Sequence, residues 1–104
     1  MESSQEQGPT IDIELSEELA EGVYANLVMI GHSPEEFIVD FIRIVPGLPR
    51  GRVKARIILT PQHARRFLRA LQENIERYER AFGPIVERGG GSPPVRFRVP
   101  GGEA

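Results

Sequence analysis

The chain has 104 residues, 39% of them hydrophobic and 27% charged, a composition typical of one soluble globular domain. It contains no cysteine, which excludes disulfides and thiolate metal sites and favours a reducing, cytoplasmic setting. No run of about 18 apolar residues occurs, so we do not expect a membrane-spanning helix.

The net charge of −2 conceals a strong asymmetry along the chain. Residues 1–42 carry ten acidic and no basic side chains, whereas residues 43–104 carry thirteen basic and five acidic ones. Two interpretations are open: a basic surface that binds an acidic partner, or two halves that pair within one fold or across a dimer. Charged and apolar residues alternate instead of forming solid blocks, which favours the pairing.

Two strands are predicted in the acidic half. Thr10 to Leu15 alternates apolar and acidic residues, as a half-buried strand does. The acidic connection that follows can hold a helical turn capped by Ser16. Val23 to Ile30 is apolar at nearly every position, which indicates a second strand buried on both faces.

A third strand is predicted from Phe37 to Val45, although its apolar residues also fit a helical stripe. Five β-branched residues and two Phe favour the strand. Ser33 to Glu36 before it is typical of a type I turn, with proline at the second position. His32 and Ser33 invite a catalytic reading, but adjacent strand residues point to opposite faces, so the turn is preferred.

The fourth predicted strand, Arg52 to Leu59, alternates basic and apolar residues, which places Arg52, Lys54 and Arg56 on one face. Thr60 and Pro61 then predict the start of a long helix, and Gly83 with the following proline predicts its end. Apolar residues recur along this helix at alternating spacings of four and three. This helix stripe consists of Ala64, Leu68, Leu71, Ile75, Tyr78 and Phe82, with Phe67 beside it.

The predicted fold class is therefore α+β: a four-stranded antiparallel meander followed by one long C-terminal helix, in the order β-β-β-β-α. A single domain over residues 10–83 is expected between a disordered N-terminal tail, residues 1–9, and a flexible Gly/Pro-rich tail, residues 84–104. Within that tail, residues 95–99 would form a strand if a sheet edge were available.

The predicted sheet is too wide for its helix. A helix body about 10 Å across cannot cover four strands spaced about 4.8 Å apart, and the two middle strands are apolar on both sides. We therefore expect a homo-oligomer, a dimer or tetramer, that associates through the sheet and acts in protein interaction. The residues predicted at this interface are Val23, Ala25, Leu27, Met29, Ile38, Ile42 and Ile44.

No catalytic residue, cofactor site or metal site is predicted, since the two histidines are far apart in sequence and no acid–base pair stands out. The competing function is nucleic-acid binding, because residues 44–72 contain seven basic and no acidic side chains. No aromatic residues are interleaved with them to stack bases. This basic set is Arg50, Arg52, Lys54, Arg56, Arg65, Arg66 and Arg69.

Three stretches, "AEGVYANL", "HSPEEFIVDF" and "RIILTPQHA", resemble a bacterial family of small proteins known only as a domain of unknown function. The resemblance spans residues 11 to 83 and implies neither an activity nor a ligand. The predicted layout of a four-stranded meander and a long helix is similar, at fold level, to the export chaperone SecB. That similarity implies a chaperone or adaptor role.

Overall fold

The computed structural model describes residues 8–88 and 94–98. Three antiparallel strands form one sheet in the order β1-β2-β3, and a long helix follows the last strand. The elements are α1 Glu17–Ala20, β1 Leu27–His32, β2 Phe37–Arg43, β3 Arg52–Leu59 and α2 Pro61–Phe82. The predicted α+β class, antiparallel sheet and long C-terminal helix are thus confirmed.

The prediction of four strands is wrong, because the segment from Thr10 to Leu15 forms no strand. Its apolar side chains Ile11, Ile13 and Leu15 are 79%, 91% and 71% exposed. Alternation shows only that a segment is suited to a sheet, whereas a strand forms where a neighbouring edge accepts its backbone hydrogen bonds. In the described structure this segment pairs with neither edge strand of the sheet.

The two predicted tails lie partly outside the described residues. Residues 1–7, 89–93 and 99–104 of these tails are not described. The described part of the predicted strand at 95–99, residues 95–98, is not a strand.

The turn predicted between the first two strands of the sheet is confirmed. The Ser33 amide donates to the Glu36 carbonyl at 2.9 Å, and the Glu35 amide donates to Ser33 Oγ at 3.2 Å. The His32 ring stacks on Phe37 with 5.5 Å between ring centroids, at the last pair of the ladder. Pro34 and the Ser33 hydroxyl therefore favour the reversal, and His32 and Ser33 serve the hairpin.

A β-bulge in β3 changes which side chains share a face of the sheet. Phe41 lies opposite Ala55 and Ile42 opposite Val53, so that Lys54 is an extra residue without a partner in β2. The alternation therefore shifts at this point, and Arg52 and Arg56 lie on opposite faces. The prediction that Arg52, Lys54 and Arg56 share one face is wrong for this reason.

Directly opposite residues of an antiparallel pair share a face of the sheet. We name the two faces by the residues that they carry. The ion-pair face carries Leu27, Met29, Ile38, Asp40, Ile42, Val53, Arg56 and Ile58. The apolar face carries Val28, Ile30, Phe37, Val39, Phe41, Ala55, Ile57 and Leu59.

Asn26 extends the first ladder by one residue beyond β1. Its amide donates to the Ile42 carbonyl at 2.9 Å. Its side chain bonds both backbone groups of Ile44, accepting from the amide at 2.8 Å and donating to the carbonyl at 2.9 Å. The carboxamide thus replaces the backbone partner that a longer β1 would offer to Ile44.

Helix α2 begins and ends as its sequence predicts. Thr60 Oγ1 accepts from the His63 amide at 3.2 Å at the start, and Gly83, with φ of 97°, donates its amide to the Glu79 carbonyl at 2.8 Å at the end. Thr60 alone connects β3 to α2. The contact of α2 with the sheet is mainly at β3.

Candidate functional site

Most large apolar side chains of the described chain lie at its surface. Among the described residues the buried hydrophobic side chains are Val39 and Ile42, 3% and 6% exposed, both in the central strand. A soluble monomer seldom exposes a continuous apolar patch larger than a few hundred Å². The candidate functional site is therefore the set of exposed apolar surfaces on the sheet and on α2.

The apolar face of the sheet is one of these surfaces. Ile30 is 62% exposed there, and Val28 and Ile57 are almost half exposed. These three side chains surround Val39, which is buried beneath them in the central strand. The predicted interface contains every second residue from 23 to 29, and these residues point to one face of the strand. The same alternation could have shown that Val28 and Ile30, which the prediction omits, lie on the opposite face.

The residues predicted at the oligomer interface lie mostly on the other face or at its margin. Ile42 is buried within a single chain, whereas Val23 is 59% exposed. The remaining five are half-buried: Ala25, Leu27, Met29, Ile38 and Ile44. Leu27, Met29, Ile38 and Ile42 share the ion-pair face.

An ion pair lies at the centre of that face. Arg56 donates from Nε to Asp40 Oδ1 at 2.7 Å and from its terminal nitrogen Nη2 to Oδ2 at 2.9 Å, a bidentate arrangement. The Asp40 side chain is only 7% exposed, while that of Arg56 is 48% exposed. The hydrogen bonds from Arg56, aided by its charge, hold the pKa of Asp40 below the ordinary value of 3.8 against the opposing effect of burial.

Phe97 covers Arg56 from the C-terminal segment, with the guanidinium carbon 5.8 Å from the ring centroid. Together they border an open concavity on the ion-pair face. It is lined by Met29, Ile30, Gly31, Ile38, Asp40, Arg56 and Phe97. Because Asp40 and Arg56 satisfy each other, the pair stabilises the sheet and offers no unpaired charge to a ligand.

The seven residues of the basic set do not form one surface. Arg56 is paired with Asp40, and Arg52 lies on the opposite face beside Arg43. Arg65, Arg66 and Arg69 do lie together, where with Pro61 and Gln62 they line a concavity at the start of α2. Within the described part of one chain, these three arginines form no ion pair with the acidic residues that precede the sheet.

Helix α2 exposes the large side chains of its apolar stripe, whereas the small Ala64 is half-buried. No residue of the helix is buried, and the large side chains of the stripe are 38% to 75% exposed. Tyr78 and Phe82 contact each other along the helix, with 5.0 Å between ring centroids. The stripe therefore lacks a partner on the sheet.

Within residues 8–88 and 94–98, no three His, Asp or Glu side chains come together as a metal site. No helix in this part of the chain is long and apolar enough to cross a membrane.

The described structure defines a class of small α+β proteins in which a three-stranded antiparallel meander leads directly into a long helix with its apolar stripe exposed. The chain belongs to the family described as "Protein of unknown function (DUF3467)", whose sequence profile matches residues 1–87. No curated protein and no solved structure matches the chain.

Proposed function

We propose that this protein is a cytoplasmic, non-enzymatic homo-oligomer, a dimer or tetramer, that acts by binding another protein as an adaptor or chaperone-like module. The observation that carries the proposal is the exposure of apolar side chains on the sheet and on α2 together. Burial of apolar area is the main favourable term in protein association, at about 25 cal/mol per Å². Self-association buries these surfaces without requiring a second gene product.

The two faces of the sheet are not equally suited to contact with a second sheet. On the ion-pair face, Phe97 contacts Arg56, and the exposed apolar residues Val53 and Ile58 lie on either side of that charged residue in β3. The apolar face instead leaves Val28, Ile30 and Ile57 exposed around a buried centre. The apolar face is therefore the better surface for contact between sheets.

Sedimentation at micromolar concentration tests the proposal, with an expected mass of two or four times 11.6 kDa. Ile30→Asn places an amide on the most exposed apolar side chain of this face, so we expect it to shift the protein towards the monomer by about tenfold or more in dissociation constant. Val86→Asn, at a residue 74% exposed outside the sheet, is the matched control. A wild-type monomer would refute the proposal.

Nucleic-acid binding is the second candidate, and the concavity formed by Arg65, Arg66 and Arg69 favours it. These side chains lie in the first half of α2, where cations oppose the helix dipole and would be stabilised by phosphate. Random-sequence RNA or DNA should then bind at low salt, and the logarithm of affinity should fall by about 0.9 per phosphate contact for each decade of salt. Binding that survives Arg66→Glu and Arg69→Glu together would contradict this function.

A further inference from the structure

We propose that helix α2 pairs antiparallel with helix α2 of a second copy of this chain. The inference rests on the proposed homo-oligomer and specifies one of its contacts. It follows from three features of the helix: the exposed stripe, the order of side-chain sizes along it, and the order of charges beside it.

The spacing of the helix stripe is that of a coiled coil. Its members follow one another at intervals of 4, 3, 4, 3 and 4 residues, so that two successive heptads carry apolar residues at their first and fourth positions, Leu68 with Leu71 and Ile75 with Tyr78, and Ala64 and Phe82 continue the pattern at the two ends. Such a narrow seam matches a second helix better than it matches a broad sheet. From Leu68 to Phe82 the seam is exposed in one chain, and Ala64 at its start is half-buried.

The sizes of the side chains along the stripe distinguish between parallel and antiparallel pairing of the two helices. In the antiparallel pair with its two-fold axis at residue 73, the small Ala64 faces the large Phe82 of the second copy. A parallel pair would instead place Ala64 against Ala64 and Phe82 against Phe82, leaving a gap at one end and crowding at the other. The antiparallel layers, each formed twice, are Leu71 with Ile75, Leu68 with Tyr78, and Ala64 with Phe82.

The charges along α2 also favour the antiparallel pairing. The first half of α2 carries three arginines and no acid, whereas the second half carries Glu73, Glu76 and Glu79 together with two arginines. Arg65 and Glu79 occupy equivalent heptad positions beside the stripe, and an antiparallel pair brings each Arg65 near Glu79 of the second copy. Glu79 Oε2 already accepts from the Ile85 amide at 2.9 Å, and its other oxygen, Oε1, is the expected acceptor for Arg65.

The proposed contact between Arg65 and Glu79 can be tested by reversing each charge and measuring association by sedimentation. Arg65→Glu and Glu79→Arg each create two repulsive pairs in a symmetric dimer, so each should weaken association by about tenfold. The double variant, Arg65→Glu with Glu79→Arg, restores opposite charges and should return association to near the wild-type value. Arg66→Glu changes the charge by the same amount on the outer side of the helix and should have little effect.

Spin-label distances test the direction, and the absence of native cysteine makes single-cysteine labelling unambiguous. In the antiparallel pair, Gln62 is 11 residues from the axis and Gln72 is one, so about 33 Å separates the two labels at 62 along the helix and about 3 Å those at 72. In a parallel pair, the two labels at each position would have no separation along the helix axis.

The results of these experiments distinguish a failure of the helix pairing from a failure of the proposed homo-oligomer. An oligomer that is insensitive to both single reversals, or whose Gln62 labels show no large axial separation, would overturn the helix pairing and leave the oligomer intact. A monomer at all concentrations would overturn both. Weakening by each single reversal, rescue by the double variant and long Gln62 distances together would establish the pairing.

Discussion

Replacing Ile42 by Ala is expected to lower the free energy of unfolding by about 2–5 kcal/mol, the range for truncation of a buried isoleucine. Ile42 is 6% exposed in the central strand and has neighbours on both sides, Leu27 and Val53. A Cβ on Gly51 would lie 3.3 Å from its Cγ2, so the surrounding backbone is already in close contact with this side chain. Total stabilities of small domains are about 5–15 kcal/mol, so the variant should unfold at much lower urea concentration.

Ile58→Ala is the matched control for this experiment. It makes the same chemical change on the same face of the sheet, but at a side chain that is 57% exposed. We expect a loss below about 1 kcal/mol, because little apolar area is removed from contact. Equal losses for the two variants in urea titrations would contradict the burial that the structure gives to Ile42.

Replacing Asp40 by Asn is expected to destabilise the protein at neutral pH and to remove an acid-dependent part of its stability. The carboxylate accepts both hydrogen bonds from Arg56, which lowers its pKa in the folded state below 3.8. A group whose folded pKa is lowered contributes stability that is fully present above its unfolded pKa. That contribution is lost as the pH falls below 3.8 through the lower pKa of the folded state.

Urea unfolding at a series of pH values checks this prediction. The wild type and Asp40→Asn should differ most at neutral pH and converge in acid, where Asp40 of the wild type is protonated. Asp12→Asn is the control, since it makes the same chemical change at an exposed residue outside the sheet. A difference between wild type and Asp40→Asn that stayed constant into strong acid would show that the charge of Asp40 does not support the sheet.

The elements that were predicted correctly are those whose boundaries depend on nearby residues. Pro34 and the Ser33 hydroxyl favour the reversal between β1 and β2, and Thr60 with Pro61 favours the start of α2. Gly83 can adopt the positive φ at the end of the helix without strain. Each of these choices is made within four residues, so the sequence contains the necessary information.

The features that were missed depend on residues far apart in the chain. The segment from Thr10 to Leu15 has the alternation of a strand, but whether it pairs depends on which sheet edge is near it. The bulge at Lys54 is set by the fit of β3 against β2, and it moves Arg52 to the face opposite Arg56. Local patterns do not reveal either outcome.

The candidate site was predictable only in part. An aspartate within the apolar run "FIVDFIRIV" indicates that Asp40 needs a partner, and the sequence offers several arginines. The register of β2 against β3 selects Arg56, which lies 16 residues away. By contrast, the apolar stripe of α2 follows directly from its spacing, whereas the exposure of the stripe is not encoded in that local pattern.

The meander order of the sheet also determines the sequence of events as the protein folds. Each strand pairs with the strand that precedes or follows it in the chain, so every ladder closes a short loop. Such a topology has low contact order and folds rapidly as a unimolecular process. The proposed association of two chains through α2 would be bimolecular and would slow as the protein is diluted. A newly made chain at low abundance would therefore hold its sheet before it finds a second copy, and its cellular concentration would set how long α2 stays available to other proteins.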